Sequence, residues 1–403
     1  MDRLARMKEH LDGDPVGQPA DGCCDEGSGK ENGSCGRHRE ETRRGCIPGA
    51  LPYALLSMPA SSTTSPLVRP TERGLYCKAG DFFIDPWRKV DRAVVTHAHS
   101  DHARPGMGAY LCAASGVGVL HERVGESASI EGLAFGQPLR MGDVTVSFHP
   151  AGHLLGSAQV RVEHKGEVWV ITGDYKRDAD TSCEAFEPVP CQTIITESTF
   201  GLPVYRWPTS AEVFAQINDW WRGNQKEGRT SILFAYALGK AQRVLCGVDP
   251  SIGPIGVHGA VDRMLPHYRA AGRPVPPTLR AGRETKEQLR GTGLIVAPGS
   301  ARNTPWLRQF APHSQAFASG WMAVRGGRRR MALDRGFVLS DHVDWKGILE
   351  TVSDCGAERV GVTHGYAGPL IRWLREERGL EAYEVPTRFV GESVQDTEEA
   401  TEE

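Results

Sequence analysis

The sequence predicts an α/β protein whose chemistry sits at strand ends. Short β-type segments recur between Leu75 and Thr196, and most run straight into a His, Asp or Glu. After about residue 210 a helical period takes over and alternates with further strands. The first pattern then returns from about Gly336.

Segments 81–85, 92–96, 144–148, 159–163, 168–172 and 193–196 read as the first strands. In 211–224, helical spacing puts Val213, Phe214, Ile217, Trp220 and Trp221 on one face. Segment 231–235 is a strand, 238–246 a helix, and 253–257 and 293–297 are strands, which together make a second α/β region. Strands over 336–340 and 359–363 and a helix over 369–377 restore the first pattern. No internal repeat is found.

The 403 residues can build more than one core, and 39% hydrophobic with 24% charged residues is ordinary for a globular protein. The net charge of −3 hides an uneven distribution: residues 201–334 hold 19 Lys/Arg against 8 Asp/Glu, a local +11, so the rest carries −14. A basic segment inside an acidic chain suggests a polyanionic partner. No apolar run approaches the roughly 18 residues of a membrane span, and the charged first ten residues have no signal-peptide core. No membrane partner and a cytoplasmic location are therefore expected. Ten cysteines in a chain this long do not form a secreted disulfide framework. Cys23, Cys24, Cys35 and Cys46 lie in a polar stretch before about residue 65 that reads as disordered, and Met58 is an alternative start. The last 13 residues hold six acids and no base, and read as a solvated tail.

Thr-His-Ala-His-Ser-Asp-His at 96–102 concentrates three imidazoles and a carboxylate. Zinc takes both donor types. In an extended segment His97 and His99 share a face and can meet one ion, while Asp101 and His102 on the following turn can meet a second. His153, Asp174 and His364 each follow a strand, and Asp85 ends one. Together they form a set sufficient for two ions, with Asp174 able to bridge. His149, four residues before His153, is the competing ligand.

H-x-H-x-D-H followed by Gly-His and Gly-Asp resembles the metallo-β-lactamase superfamily. Glu197 in Thr-Glu-Ser-Thr-Phe-Gly, His342 in Leu-Ser-Asp-His-Val-Asp and His364 in Val-Thr-His-Gly resemble the three further motifs of its β-CASP nucleases. Arg-Pro-Thr-Glu-Arg-Gly-Leu-Tyr-Cys, Phe-Gly-Leu-Pro-Val-Tyr-Arg-Trp and Ala-Leu-Gly-Lys-Ala-Gln-Arg extend the similarity from about Leu67 to Phe389 and narrow it to bacterial ligase-associated DNA exonucleases.

The resemblance implies an αββα metallo-β-lactamase sandwich with an inserted α/β β-CASP domain. Its parts are a disordered extension (1–65), the sandwich domain (66–200 and 335–390), the insert (201–334) and an acidic tail (391–403). It implies two zinc ions, with manganese as a substitute: His97, His99 and His153 on one, Asp101, His102 and His364 on the other, Asp174 shared. Asp85 would orient a ligand histidine. Asp101 and Asp174 would serve catalysis as well as binding, and Glu197 with His342 would deliver a proton to the leaving oxygen. An ATP-dependent DNA ligase and a helicase are the implied partners, with DNA favoured over RNA as substrate. His364 keeps RNA open, because eukaryotic DNA-directed β-CASP members tend to lack a His there.

Two cations lower the pKa of a water and neutralise phosphate charge, so the predicted activity is phosphodiester hydrolysis. A small-molecule hydrolase, such as a lactamase or thioesterase, fits the +11 insert less well, and a binding scaffold would not need the intact ligands. Gly239-Lys240 lacks the surrounding P-loop, so no ATP use is expected. Lys240, Arg243, Arg325, Arg328, Arg329 and Arg330 are the candidate phosphate contacts. Tyr205, Trp207 and Trp306 could stack on bases, but core packing is the better reading of each. Replacing Arg328, Arg329 and Arg330 together with Ala is expected to flatten the salt dependence of DNA binding. Each phosphate that is no longer neutralised removes about 0.9 from the log–log slope in a fluorescence-anisotropy titration. An unchanged slope would make the cluster a solvated turn.

Overall fold

The computed structural model describes residues 65–324 and 333–388. The four N-terminal cysteines, Met58, the cluster Arg325, Arg328, Arg329 and Arg330, and the acidic tail lie outside the described residues. The first sheet runs in chain order: β1 (Val68–Thr71), β2 (Gly74–Cys77), β3 (Phe82–Ile84), β4 (Arg92–Val94), β5 (Ala109–Ala113) and β6 (Ile130–Leu133). Helix α1 (Val117–Val124) lies between its last two strands in sequence.

A second sheet begins with β7 (Leu139–Met141), β8 (Val144–Pro150), β9 (Ala158–His164), β10 (Glu167–Ile171) and β11 (Thr193–Glu197). The chain then leaves it through helix α2 (Ser210–Lys226), started by a capping box in which Thr209 and Glu212 satisfy each other's amides. A third, all-parallel sheet follows. Its strands are β12 (Thr230–Phe234), β13 (Ile255–Val257), β14 (Leu279–Arg280), β15 (Leu294–Ala297), β16 (His313–Ala318) and β17 (Arg335–Phe337), in the spatial order 14-13-15-12-16-17. Helix α3 (Lys240–Gly247) follows its central strand β12. The chain returns through α4 (Trp345–Asp354), β18 (Arg359–Thr363), α5 (Ala367–Arg378) and β19 (Glu381–Glu384), completing the second sheet in the order 19-18-11-10-9-8-7. The strand expected at 336–340 is thus shorter, and it is an edge of the third sheet.

Period-2 burial joins the first two sheets face to face. Ile84, Val94 and Leu111 from one pack with Val146, Phe148, Val160, Val162, Ile171 and Ile195 from the other. Each such buried side chain contributes roughly 1.5–3 kcal/mol. The outer face of the first sheet is covered by Val119, Leu120 and Val124 of α1. The outer face of the second is covered by Ile348 and Val352 of α4 and Leu370 and Leu374 of α5. The result is an αββα sandwich. The third sheet has its own two cores, one against Val213, Ile217 and Trp221 of α2 and one around Phe310 and Phe317. Among the described residues no helix is long and apolar enough to cross a membrane.

Direction decides where the chemistry can gather. β10, β11 and β18 are parallel and in register, and β8 points the same way because antiparallel β9 lies between it and β10. Their C-terminal ends therefore meet at one edge, as do those of the parallel pair β3 and β4.

Gly156, in the turn that follows His153, is at φ +75, and a Cβ there would overlap the backbone of Gly116. Gly228 has φ +66 with open space around it. Gly228→Ala is expected to cost only the roughly 1–2 kcal/mol of left-handed backbone, and Gly156→Ala clearly more, in urea unfolding. Equal costs would remove the close-approach argument.

Candidate metal centre

The His-rich loop starts at the C-terminal end of β4 and turns on itself, with the amides of His102 and Ala103 donating to the His99 carbonyl at 3.1 and 2.8 Å. That turn points His97, His99 and His102 inward. His153 follows β8, Asp174 follows β10, Glu197 ends β11 and His364 follows β18. Asp85 follows β3. Asp85 and His364 both have positive φ, 45° and 56°, a backbone state that L residues occupy at a cost and that collects at functional sites.

Among the described residues four donor groups form, each with its atoms within 4.8 Å of one another; two of them, His153–Asp341–His342 and Asp174–Glu197–His342, contain the residues beside the cluster, and the other two contain the His-rich loop. Of these last two, one is His97, His99, His153 and Asp174; the other is His102, Asp174 and His364. Asp174 Oδ2 stands between them, 3.4 Å from Nε2 of His97, 3.4 Å from Nε2 of His102 and 3.9 Å from Nε2 of His153. Asp101 Oδ2 lies 3.4 Å from His102 Nε2 on the second side and is partly exposed. Asp85 accepts from the Thr96 amide at 2.8 Å and the Thr96 hydroxyl at 2.6 Å, and meets His102 Nδ1 at 2.7 Å. That contact turns His102 Nε2 toward Asp174. The competing His149 is 3.1 Å from Ser147 and belongs to none of the four groups.

The electrostatics suit a cation. Burial, then the neighbouring His102, push the His97 imidazole down to about 4, and burial pushes His153 well below its usual value. Both rings are thus neutral ligands at neutral pH. Burial alone would lower His102 too, but Asp101, Asp174 and Asp85 outweigh it and raise it well above its usual value. Burial would raise Asp174, yet His102 and His342 hold it well below the carboxylate range. The Nε2 atoms of His97 and His102 are buried without a hydrogen-bond partner. Ring nitrogens without a hydrogen bond, 3.4 Å from the Asp174 carboxylate, are what a metal ion satisfies, at His102 in exchange for its proton.

Beside the cluster His342 Nδ1 lies 2.9 Å from Glu197 Oε2, with both side chains buried. The other Glu197 oxygen accepts the Tyr175 amide at 2.8 Å. Burial raises the Glu197 pKa, with the charge of Asp174 adding to it. His342 is held by its backbone: its amide donates to Ser340 Oγ at 3.0 Å, and its carbonyl accepts from Trp207 Nε1 at 2.9 Å.

No protein-family profile matches the chain. Individual relatives do. A probable DNA ligase from Opitutus terrae is 32% identical over 315 residues, covering 77% of this chain and 30% of that protein. An endoribonuclease from Eremothecium gossypii is 30% identical over 122 residues, 30% of this chain and 16% of that protein. A ribonuclease from Thermus thermophilus is 27% identical over 192 residues, 41% of this chain and 44% of that protein. The chain belongs to the β-CASP branch of the metallo-β-lactamase superfamily. It spans less than half the length of each of these relatives.

One expectation for this β-CASP protein is corrected, and one reading of its aromatic residues is favoured. Lys240 and Arg243 do not form a nucleic-acid surface: both are fully buried. Lys240 Nζ pairs with Asp341 Oδ1 at 3.0 Å, and Arg243 pairs with Asp180. Helical spacing gave the two a common face, but that face turned inward. Tyr205 is buried against Phe200, and Trp306 packs on Phe310, so both serve the core. Sequence reasoning did not single out Thr96, Leu238 or Asp341: Leu238, and Asp341 toward His153, act through backbone carbonyls, which leave no residue-type signal, and the Thr96 hydroxyl and Asp341 carboxylate serve other side chains from common residue types.

Asp85→Asn removes a charge while keeping the shape. The loss expected for a partner of a ligand histidine is about 10–100-fold in zinc affinity, read by competition with a chromophoric chelator. Wild-type affinity in the variant would show that Asp85 does not orient His102.

Proposed function

We propose that the protein hydrolyses phosphodiester bonds in nucleic acid at a two-metal centre, with zinc as the resident ion and manganese as a substitute. The observation that carries the reading is Asp174 Oδ2 standing between two imidazole groups, next to the buried His342–Glu197 pair. On this reading His97, His99, His153 and Asp174 hold one ion, and Asp101, His102, Asp174 and His364 the other. Divalent cations bound there would lower the pKa of an attacking water and offset charge on the phosphate.

The chain's own residues supply the rest. Asp101, partly exposed at the mouth, orients the water. His342, with Nδ1 on Glu197, gives a proton to the leaving sugar oxygen, and Glu197 favours the imidazolium that does so. The basic span 201–334, net +11, holds the phosphates without reading sequence. The division into a sandwich domain (66–200, 335–390) and a substrate-gripping insert (201–334) belongs to the same proposal.

DNA is the substrate we favour, as an exonuclease acting in end repair beside an ATP-dependent ligase and a helicase. The support is the relative matched over 77% of this chain, which is named a probable DNA ligase and of which this chain resembles only a part. A second reading, RNA processing, is supported by the endoribonuclease and ribonuclease relatives and by His364.

One assay separates these. The protein with zinc or manganese is given end-labelled DNA and RNA of matched sequence, with a β-lactam as control. DNA cleavage is expected, abolished in Asp174→Ala and His99→Ala and lowered by about 10²–10⁴-fold in His342→Ala. Cleavage of RNA alone selects the second reading. Full activity in Asp174→Ala removes the two-metal centre, and turnover of the β-lactam alone removes both readings.

A further inference from the structure

Lys240 and Arg243 are buried cations that the proposed chemistry does not use. Both lie in α3, directly after the central strand of the third sheet. The intervening loop passes against the metal cluster, and His99 Nε2 is 3.1 Å from the Leu238 carbonyl. His153 Nδ1 is 2.9 Å from the Asp341 carbonyl, and the carboxylate of that same residue is the partner of Lys240 at 3.0 Å. Arg243 Nη2 donates to the carbonyls of Gly152 at 2.9 Å and His153 at 3.1 Å. Gly239 lets the helix start this close: it has φ +91, and a Cβ there would already touch Leu154 at 3.3 Å.

An imidazole that donates from one nitrogen presents a lone pair at the other. Held as they are, His99 presents Nδ1 and His153 presents Nε2, and these two atoms lie 3.1 Å apart. The supports of the remaining ligands are different. Thr96 and Asp85, which follow strands of the first sheet, hold His97 and His102. His99 and His153 are therefore oriented by carbonyls of Leu238 and Asp341, while His97, in the same half, and His102, in the other, are oriented by Thr96 and Asp85.

We infer that the segment Leu238–Arg243 completes one of the two metal subsites, with Lys240 and Arg243 as positioning residues that fix the metal-facing nitrogens of His99 and His153. This rests on the two-metal reading above. The region expected to grip substrate is then also part of the metal site, and within the His97/His99/His153 half it is His99 and His153 that depend on it.

The test uses the full-length protein, stripped of metal and titrated with cobalt(II) and zinc(II). Cobalt is followed by its visible absorption and zinc by competition with a chromophoric chelator. Wild type is expected to take up two equivalents. Lys240→Met should weaken one equivalent by about 10–100-fold, alter the cobalt bands of that equivalent and leave the other intact. Lys240→Met alone strands a buried carboxylate, so Lys240→Met/Asp341→Leu, which leaves no unpaired charge, is measured beside it. Arg243→Lys, which replaces the two guanidinium nitrogens that separately meet Asp180 and the two carbonyls with one compact ammonium, should weaken the same equivalent. Wild-type affinities and spectra in the variants that fold would overturn the inference. Equal weakening of both equivalents would overturn it too, since that marks a general loss of packing. A wild type that binds no metal at all would instead refute the two-metal reading beneath it.

Discussion

Asp174 is a carboxylate buried among imidazoles, and most of the architecture around it can be read as the means of keeping it there. A buried carboxylate stays ionised only if positive charge or donors compensate its lost hydration. Here His102 and His342 do so, and the rings of His97 and His153 close the remaining sides. Such a cluster cannot come from one segment. It needs several strand ends at one point, which the parallel pairs β3–β4 and β10–β11–β18 supply from two sheets. The sandwich core between those sheets fixes their spacing.

The same constraint explains the buried cations of the insert. Lys240 and Arg243 are removed from water, which is costly unless each is paired. Asp341 and Asp180 provide the partners, and the carbonyls of Gly152 and His153 take further guanidinium hydrogens. The outcome is a tie between the third sheet and the loop that carries His153. That tie is the physical basis for assigning α3 to the metal centre and not to the substrate surface. Setting these two paired cations aside leaves 17 Lys/Arg (19 less 2) against 8 Asp/Glu in 201–334, a net +9 that still suits a polyanionic substrate.

His342 and Glu197 show how a pair far apart in sequence becomes a unit. Glu197 sits at the end of a central parallel strand and is fully buried, so its carboxylate needs donors on both oxygens. The Tyr175 amide satisfies one and His342 the other. The indole of Trp207 holds the His342 backbone from the far side. A tryptophan that might have been assigned to base stacking thus contributes to the geometry of the proposed proton donor.

The sequence by itself determined the class of the fold and the identity of the donors. Period-2 and period-3.6 patterns are local, so most strands and helices fell within a few residues of their expected places. Dense His/Asp spacing is a local signal as well. Short strands such as β1, β6 and β14 were not legible, because two to four residues at a sheet edge carry little periodicity. Only the tertiary structure decided which face of α3 is buried and which carbonyls turn His99 and His153. Those outcomes depend on long-range packing and on backbone atoms that every residue shares, and neither leaves a mark on residue type.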